Sequence, residues 1–395
     1  MKSTILRNIG TLVSGNLEKP VLEADALLIE EGKIVRIGAE STLSPRSDPL
    51  IIDAVGSTVT PGLIDSHVHP VAGDFTPRQR TLDFIDSALQ GGVTTMISAG
   101  EVHYPGRPRD PSGAKALALV AHKSFSNLRP AGVKVHAGAV MLEKGLQERD
   151  FQELAAEGVH LVGEVGLGTV KDPEEAAEMV RWAKKYNMRV TIHTGGPSIP
   201  GSTRYGADEV FRIRPDIVGH INGGPTAIPH EDIERLVQES NFMLEIVQCG
   251  NFRRALDTIR AARESNALAR VIVGNDAPSG SGVIPLGILR TLNLLSSFGG
   301  IPPEQSIAFA TGNTSRVQGL SCGLVQEGCD ADLVVMDAPE GSVADTAMNS
   351  IAIGDIPGIS LVMVDGNVLV QRSRNTPPAR RMAKVVGQEV KAATH

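Results

Sequence analysis

Aromatic residues are scarce in this sequence, at 3%, with one Trp and three Tyr. Little is left for stacking on nucleic-acid bases or sugar rings. Positive charge is also in deficit, since 38 Lys and Arg stand against 45 Asp and Glu, for a net charge of -7. Such a balance lacks the basic footprint of a nucleic-acid binder, so no nucleic-acid partner is expected. Cysteine is nearly absent: Cys249, Cys322 and Cys329 are odd in number and show no CxxC spacing. That excludes a full disulfide framework and fits a reducing compartment. No apolar run reaches the ~20 residues of a membrane-spanning helix. Met1–Gly15 alternates polar and apolar residues instead of forming the apolar core of a leader. The expectation is a cytoplasmic protein with no membrane partner, acting on a small molecule.

What is present is patterned. The 395 residues, 41% of them hydrophobic and 21% charged, exceed what one simple core holds, because single cores stop growing near ~250–300 residues. Before Pro61 the chain reads as short strands separated by turns: Ser3–Leu6, Ala26–Glu30, Lys33–Ile37, Leu50–Asp53 and Thr58–Thr60. From Pro61 onward, strand-like runs alternate with helix-like ones. The strands are Gly62–Asp65, Thr94–Ser98, Val133–Ala139, His160–Val165, Arg189–His193, Ile217–His220, Phe242–Val247 and Arg270–Gly274. Helix-like stretches follow at Arg78–Gln90, Ser112–Asn127, Glu148–Glu157, Glu174–Tyr186, Ala207–Ile213, His230–Glu239 and Arg253–Ser265. Eight strands alternating with helices predict an α/β fold of the (β/α)8 TIM-barrel type, whose active site lies at the carboxyl ends of the strands.

Three more helix-like stretches, Thr291–Ser296, Pro303–Ala310 and Thr314–Gln318, precede a return to strand character at Ala331–Met336, Leu361–Val364 and Asn367–Val370. The two ends of the chain are therefore expected to share one β domain, residues 1–60 plus 322–395, flanking a barrel of residues 61–321. Thr376–His395 carries Pro377-Pro378 and a basic run at Arg380–Lys384, consistent with a docked tail or a frayed helix.

Six residues stand near the ends of the apolar runs: His67, His69, Glu164, His193, His220 and Asp276. Imidazoles and carboxylates in this number suit a two-metal hydrolase, in which bound ions generate a nucleophile from water and polarise a carbonyl. Residues two apart on a strand point the same way, so His67 and His69 can reach one ion. Glu164 lies in an apolar strand, where an unpartnered carboxylate is costly. His136, within the third strand, reads as a core residue or one that supports a ligand, and Cys249, after the seventh strand, as a small packed thiol in preference to a substrate contact.

The run Pro61-Gly-Leu-Ile-Asp65-Ser-His67-Val-His69 resembles the signature of the amidohydrolase superfamily. That resemblance implies a distorted, metal-bearing (β/α)8 barrel with a flanking β-sandwich made from both chain ends. It further implies that His67, His69 and Asp276 hold one divalent ion and His193 and His220 a second, with Glu164 bridging where the commoner pattern has a carboxylated lysine. Zinc and iron are the implied pair; two zincs or manganese also suit this donor set. A hydroxide between the ions would attack the amide carbonyl, with Asp276 as both ligand and proton shuttle to the leaving nitrogen.

Further segments narrow the resemblance within the superfamily: His193-Thr-Gly-Gly196, His220-Ile-Asn-Gly-Gly-Pro-Thr226, Glu245-Ile-Val-Gln-Cys-Gly250, Gly354-Asp-Ile-Pro-Gly358 and Arg374-Asn-Thr-Pro-Pro378. They are similar to the branch that opens the lactam of 6-oxo-1,4,5,6-tetrahydronicotinate in nicotinate degradation, giving 2-formylglutarate and ammonia. A homotetramer is implied by the same resemblance. Other ring-opening hydrolases of dihydroorotase or hydantoinase type, a deacylase, and a non-catalytic assembly module are the competing readings. An anionic substrate on an acidic protein needs local donors. His103, Arg107, Lys134 and Arg204 are the candidates for binding it, with Arg78, Arg109 and the backbone amides of Gly195-Gly196 and Gly223-Gly224 also available.

Overall fold

Two dipeptides with the composition of tight turns, Glu31-Gly32 and Asp365-Gly366, organise the first of the two units into which the chain divides. Positive φ at both residues of each pair (50° and 79°; 46° and 70°) matches the hairpin turn whose twist suits flanking strands. The first joins Ala26–Glu30 to Lys33–Gly38, and the second joins Gly358–Val364 to Asn367–Gln371. The computed structural model that shows this describes residues 3–70, 81–104, 106–197, 201–224, 226–278 and 282–386.

This unit comprises Met1–Leu63, Leu89–Thr94 and Leu292–His395. One sheet runs in the order Lys384–Val385, Leu50–Asp53, Ser3–Arg7, Ala26–Glu30, Lys33–Gly38. The other runs Asn367–Gln371, Gly358–Val364, Leu333–Asp337, Thr58–Pro61, Thr11–Val13, Val21–Leu22. Strands from the two chain ends are direct neighbours, as in Leu333 opposite Pro61 and Lys384 opposite Asp53. Leu6, Leu27, Ile29, Ile34 and Ile52 of the first sheet and Leu12, Val59, Leu333, Val335, Leu361 and Met363 of the second belong to one buried apolar cluster. Alternate residues along a strand face one side, which is how both sheets supply one cluster.

The second unit, Ile64–Ala88 with Thr95–Thr291, is built on parallel strands. They are β1 Leu63–Val68, β2 Val93–Ser98, β3 Lys134–His136, β4 Leu161–Val165, β5 Arg189–His193, β6 Ile217–Gly219, β7 Met243–Val247 and β8 Val271–Gly274. The helices that follow them in turn are α1 Thr81–Gln90, α2 Pro111–Asn127, α3 Glu148–Ala156, α4 Pro173–Lys185, α5 Ala207–Ile213, α6 His230–Glu239, α7 Phe252–Glu264 and α8 Gly287–Ser297. In α4, Asp172 caps the start, Pro173 occupies the first turn and Lys184-Lys185 the last, each favourable to the helix and its dipole. Its buried residues, Ala176, Ala177, Met179, Val180 and Ala183, form one stripe at helical spacing.

β1, β2 and β3 form one sheet and β4 to β8 another. Isolated parallel bridges join them at both junctions, Val140 with Val162 and Val68 with Ala277. Val140 donates to the carbonyl of Leu161 at 3.0 Å, and His69 to that of Ala277 at 3.0 Å. Hydrogen bonds thus run from each strand to the next and from the last to the first.

Several elements differ from the sequence reading. The third strand ends at His136 instead of Ala139, because Gly138 turns the chain at φ 92° with its Cα packed where a Cβ would lie 2.5 Å from the Ala118 carbonyl oxygen. The short strands Thr11–Val13 and Val21–Leu22 and the helix Ala347–Ile353, capped by Thr346, are additions. The chain end is neither frayed nor helical over its described part: Arg381 forms a two-pronged pair with the buried Asp337 at 2.8 and 2.6 Å, and Lys384–Val385 joins a sheet. Arg78, at the expected start of α1, lies outside the described residues. Among the described residues no helix is long and apolar enough to cross a membrane.

His136 packs 6.1 Å from His160, ring to ring. Burial, then the nearby charges of His160, Lys134, Arg129 and His122, push its pKa down to about 4. An unfolded histidine titrates near ~6.5, so between these values the unfolded chain holds a proton that the native one lacks. Stability must therefore rise with pH across that window. Urea midpoints measured at pH 4.5, 5.5 and 7 should show His136→Gln losing less stability than wild type on acidification, by about 2–3 kcal/mol over the window; parallel curves would contradict this.

Candidate metal centre

Four imidazoles and two carboxylates converge at the carboxyl ends of β1, β4, β5, β6 and β8. His67 lies in β1 and His69 just beyond it, and both are buried. Glu164 lies in β4, where the register with β5 shifts between Val162 and Val165. The displaced backbone N–H of Glu164 bonds instead to the carbonyl of Ala99 at 2.9 Å. A bulge of this kind re-aims a side chain. Gly163 allows it: a Cβ there would lie 2.6 Å from the Ala99 carbonyl oxygen. His193 ends β5, and His220 and Asp276 follow β6 and β8 with left-handed φ of 32° and 55°. Non-glycine residues in that region are strained and tend to mark functional sites.

The six fall into two groups whose ligand-type atoms lie within 4.8 Å of one another: His67, His69 and Asp276, and Glu164, His193 and His220. Glu164 spans them. Its Oε1 lies 2.7 Å from His220 Nε2 and 3.6 Å from His193 Nδ1, while its Oε2 lies 3.6 Å from His67 Nε2 and 3.5 Å from His69 Nε2. Asp276 Oδ1 approaches His69 Nε2 at 3.1 Å and His67 Nε2 at 3.7 Å.

Each of three imidazoles is pinned through the nitrogen facing away from the cluster. His67 Nδ1 donates to Glu245 Oε2 at 2.6 Å, His69 Nδ1 to the Gly100 carbonyl at 2.9 Å, and His193 Nε2 to the Gly196 carbonyl at 3.1 Å. The other nitrogen of each ring faces the cluster, where His69 Nε2 meets Asp276 at 3.1 Å and His193 Nδ1 meets His220 Nε2 at 3.0 Å. With the outer N–H engaged, the inner nitrogen is the one that could be offered to a metal ion, the arrangement metal-binding histidines use. His67 Nε2 is buried with no hydrogen-bond partner, and so is Nδ1 of His220.

The electrostatics express the same demand for positive charge. Burial acts to raise the Glu164 carboxyl, but the charge of His67, the closeness of His193 and the hydrogen bond with His220 hold it well below the usual range. Burial likewise opposes ionisation of Asp276, and the hydrogen bond from His69 with the charges of His67 and His220 prevails, lowering it to about 2. Desolvation disfavours a proton on His67, yet Glu245 and Glu164 draw its pKa well above normal. Protons thus supply here the charge that cations would supply. A buried donor set of imidazole nitrogens and carboxylate oxygens facing one another fits a pair of divalent ions, which would displace those protons.

A second layer holds these groups. Asp65 accepts from the backbone N–H of His67 at 3.2 Å and of Asn275 at 2.9 Å, and its other oxygen takes the Asn275 amide at 2.7 Å. Burial pushes Asp65 up to about 7 against those bonds. Cys249 donates its thiol to Asp276 Oδ2 at 2.9 Å. Glu245, fully buried on β7, also accepts from Ser66 Oγ at 2.5 Å. No role for Glu245, Asp65 or the Cys249 thiol follows from the motifs alone. The available signal for Glu245 is a carboxylate inside the apolar run Met243–Val247, where burial requires a partner.

The expected substrate-binding residues are scattered. The His103 ring stands edge-on to that of His69 at 5.3 Å. Arg107 is engaged, with Nη1 on Glu143 at 3.0 Å and Nη2 on the Leu167 carbonyl at 3.0 Å. Lys134 opens β3 opposite Thr95, four positions before Ala99, which places it on the order of 13 Å down the strand from the level of Glu164. Arg204 is exposed. The amides of Gly195, Gly196 and Gly223 donate to the carbonyls of Tyr205, Thr226 and His220, so they are not open donors in this conformation.

Comparison with known proteins places this geometry in context. The amidohydrolase family model matches residues 58–369. Enamidase of Eubacterium barkeri is 57% identical over 386 residues, covering 98% of this chain and 100% of that one. A solved structure of enamidase superposes with a TM-score of 0.95 at 57% identity, covering 98% of this chain and 100% of its own. Imidazolonepropionase of Geobacillus sp. (strain WCH70) is 23% identical over 86% of this chain and 92% of its own length. Paired histidines at the end of the first parallel strand, a mixed α/β architecture with residues able to bind divalent ions, and likeness along almost the whole length all lead to one statement: the chain belongs to the amidohydrolase family.

Proposed function

We propose that this protein is an enamidase, which opens the lactam of 6-oxo-1,4,5,6-tetrahydronicotinate to give 2-formylglutarate and ammonia in nicotinate degradation. The observation that carries the reading is Glu164 set between two histidine groups, in a chain 57% identical to enamidase over nearly its full length. The eight head-to-tail strands are read as a distorted (β/α)8 TIM barrel of residues 61–321. Residues 1–60 and 322–395 are read as one β-sandwich, supported by their interleaved strands and shared apolar cluster. A cytoplasmic homotetramer is the proposed state, by the habit of the family.

In this reading His67, His69 and Asp276 would hold one ion and His193 and His220 the other, with Glu164 placed to serve both; zinc with iron, or two zincs, would suit the set. When bound, the ions activate water and polarise the amide carbonyl at neutral pH. Asp276 has one oxygen toward the imidazoles and the other fixed by Cys249, which aims it to take a proton from the attacking water. It then delivers that proton to the lactam nitrogen as the C–N bond breaks. The ring opens to a carboxylate and an enamine; tautomerisation and a second water release ammonia and leave the aldehyde. His103, beside His69, is proposed to contact the substrate. Arg107 is proposed to act on it indirectly, through the loops it ties together, while Lys134 and Arg204 remain weaker candidates.

Three measurements test this. Purified protein should contain close to two divalent ions per chain by elemental analysis and release ammonia from the tetrahydro-oxonicotinate; turnover of dihydroorotate or a hydantoin in its place would shift the reading to those hydrolases. His193→Ala should lose metal and at least ~100-fold in rate while keeping the circular dichroism of the wild type, and a fully metallated, active variant would remove His193 from the ligand set. Glu245→Gln should weaken metal binding by ~10–100-fold in a chelator competition, because the partner that orients His67 is altered; unchanged affinity would assign Glu245 to packing alone.

A further inference from the structure

Outside the metal groups, the loops after β2, β3 and β4 gather three cations around one buried anion. Arg107, with its side chain only 6% exposed, pairs with the fully buried Glu143. The second oxygen of Glu143 accepts the backbone N–H of Thr169 at 2.8 Å. Lys171, half-buried, donates to the carbonyl of Gly166 at 3.1 Å, which leaves two of its three N–H bonds for other acceptors. The charged groups felt by Lys171 are Arg109, Glu143 and Arg107. Glu143 is already taken by Arg107, so an excess of positive charge remains. Burial, then Arg109 and Arg107, hold the Lys171 ammonium below its ordinary range. Among the described residues neither Lys171 nor Arg109 forms an ion pair. Arg109 is exposed and Lys171 half-buried; like charges at such a rim repel one another, and an anion between them relieves that repulsion.

The position of this cluster relative to the metal groups is set by Gly166. It lies two residues past Glu164, and a Cβ on it would stand 3.6 Å from the Cβ of His193 and 2.9 Å from Cε2 of Tyr205. The carbonyl that anchors Lys171 thus belongs to the segment that carries the bridging carboxylate. The fully buried Tyr205 fixes the other side, donating its hydroxyl to the Lys171 carbonyl at 3.2 Å.

We propose that Lys171, assisted by Arg109, is the subsite for the substrate carboxylate, with the Arg107–Glu143 pair holding the three loops in register. This rests on the enamidase reading, whose substrate carries a carboxylate para to the lactam carbonyl. An ammonium beside the Glu164 segment answers that geometry: one end of the ring meets the metal groups and the other meets the cation. The subsite selects substrate and does no chemistry on it.

The test compares wild type, Lys171→Met, Lys171→Arg and Arg109→Met on 6-oxo-1,4,5,6-tetrahydronicotinate and on the same lactam without its carboxylate, 3,4-dihydro-2-pyridone. Loss of a charge-assisted hydrogen bond predicts that Lys171→Met raises KM for the acid by on the order of 10–100-fold with kcat little changed. Its ratio of kcat/KM for acid over neutral lactam should fall by the same factor; Lys171→Arg should recover most of it, and Arg109→Met should show a smaller fall. Equal losses on both lactams, or none, in Lys171→Met would overturn the subsite while leaving the enamidase reading intact. If wild type hydrolyses neither lactam, the enamidase reading falls and the subsite falls with it.

Discussion

A carboxylate taken out of water must be met by positive charge, and the catalytic end of this protein is arranged around that requirement at Glu164. One oxygen faces His220 and His193, the other His67 and His69. Moving the side chain by one strand position would turn it out of the cluster, because successive residues face opposite ways. The bulge at Gly163-Glu164 therefore matters as much as the glutamate. It diverts the backbone N–H of Glu164 to Ala99, and only a residue without a Cβ fits at Gly163, against the same carbonyl.

The imidazoles depend on supports drawn from other strands. Glu245 of β7 holds His67, the Gly100 carbonyl after β2 holds His69, and the turn after β5 holds His193. Their ring orientations are set by the protein itself, so little reorganisation of these side chains would be left to metal binding. The cost appears in the backbone: His220 and Asp276 both sit at left-handed φ. Asp276 is tied down by its N–H bond to the His67 carbonyl at 2.9 Å, and its neighbour Asn275 by Asp65. Local strain of this kind persists where surrounding structure over-determines it.

Charge is arranged differently a loop away. Around Glu164, negative groups outnumber the positive charge that neutral imidazoles can offer, which favours cations. Around Glu143 the excess is positive, from Arg107, Arg109 and Lys171, which favours an anion. A substrate that is neutral at its scissile amide and negative at a distant carboxylate matches both. The loop that Arg107 ties down through the Leu167 carbonyl is the segment beyond Glu164, so the two charge clusters share a support.

Much of this was readable from the chain before folding. The alternation of apolar runs and helical stripes is local, and so β5, α5 and α6 match their expected limits. The pair His67 and His69 declares itself because two-residue spacing on a strand is a local fact. The hairpin turns at Glu31-Gly32 and Asp365-Gly366 are equally local. The expected third strand ran past Gly138 because a glycine's positive φ answers to the Ala118 carbonyl, which lies far from it in sequence. Likewise, that Glu245 would hold His67 involves residues 178 apart, that Glu164 would meet His220 involves a separation of 56, and that Arg107 would be tied to Glu143 one of 36. Sequence alone determined which donor types stand at the strand ends; tertiary structure decided which oxygen faces which nitrogen and which cation is paired with which anion, because those outcomes depend on register and packing between distant segments.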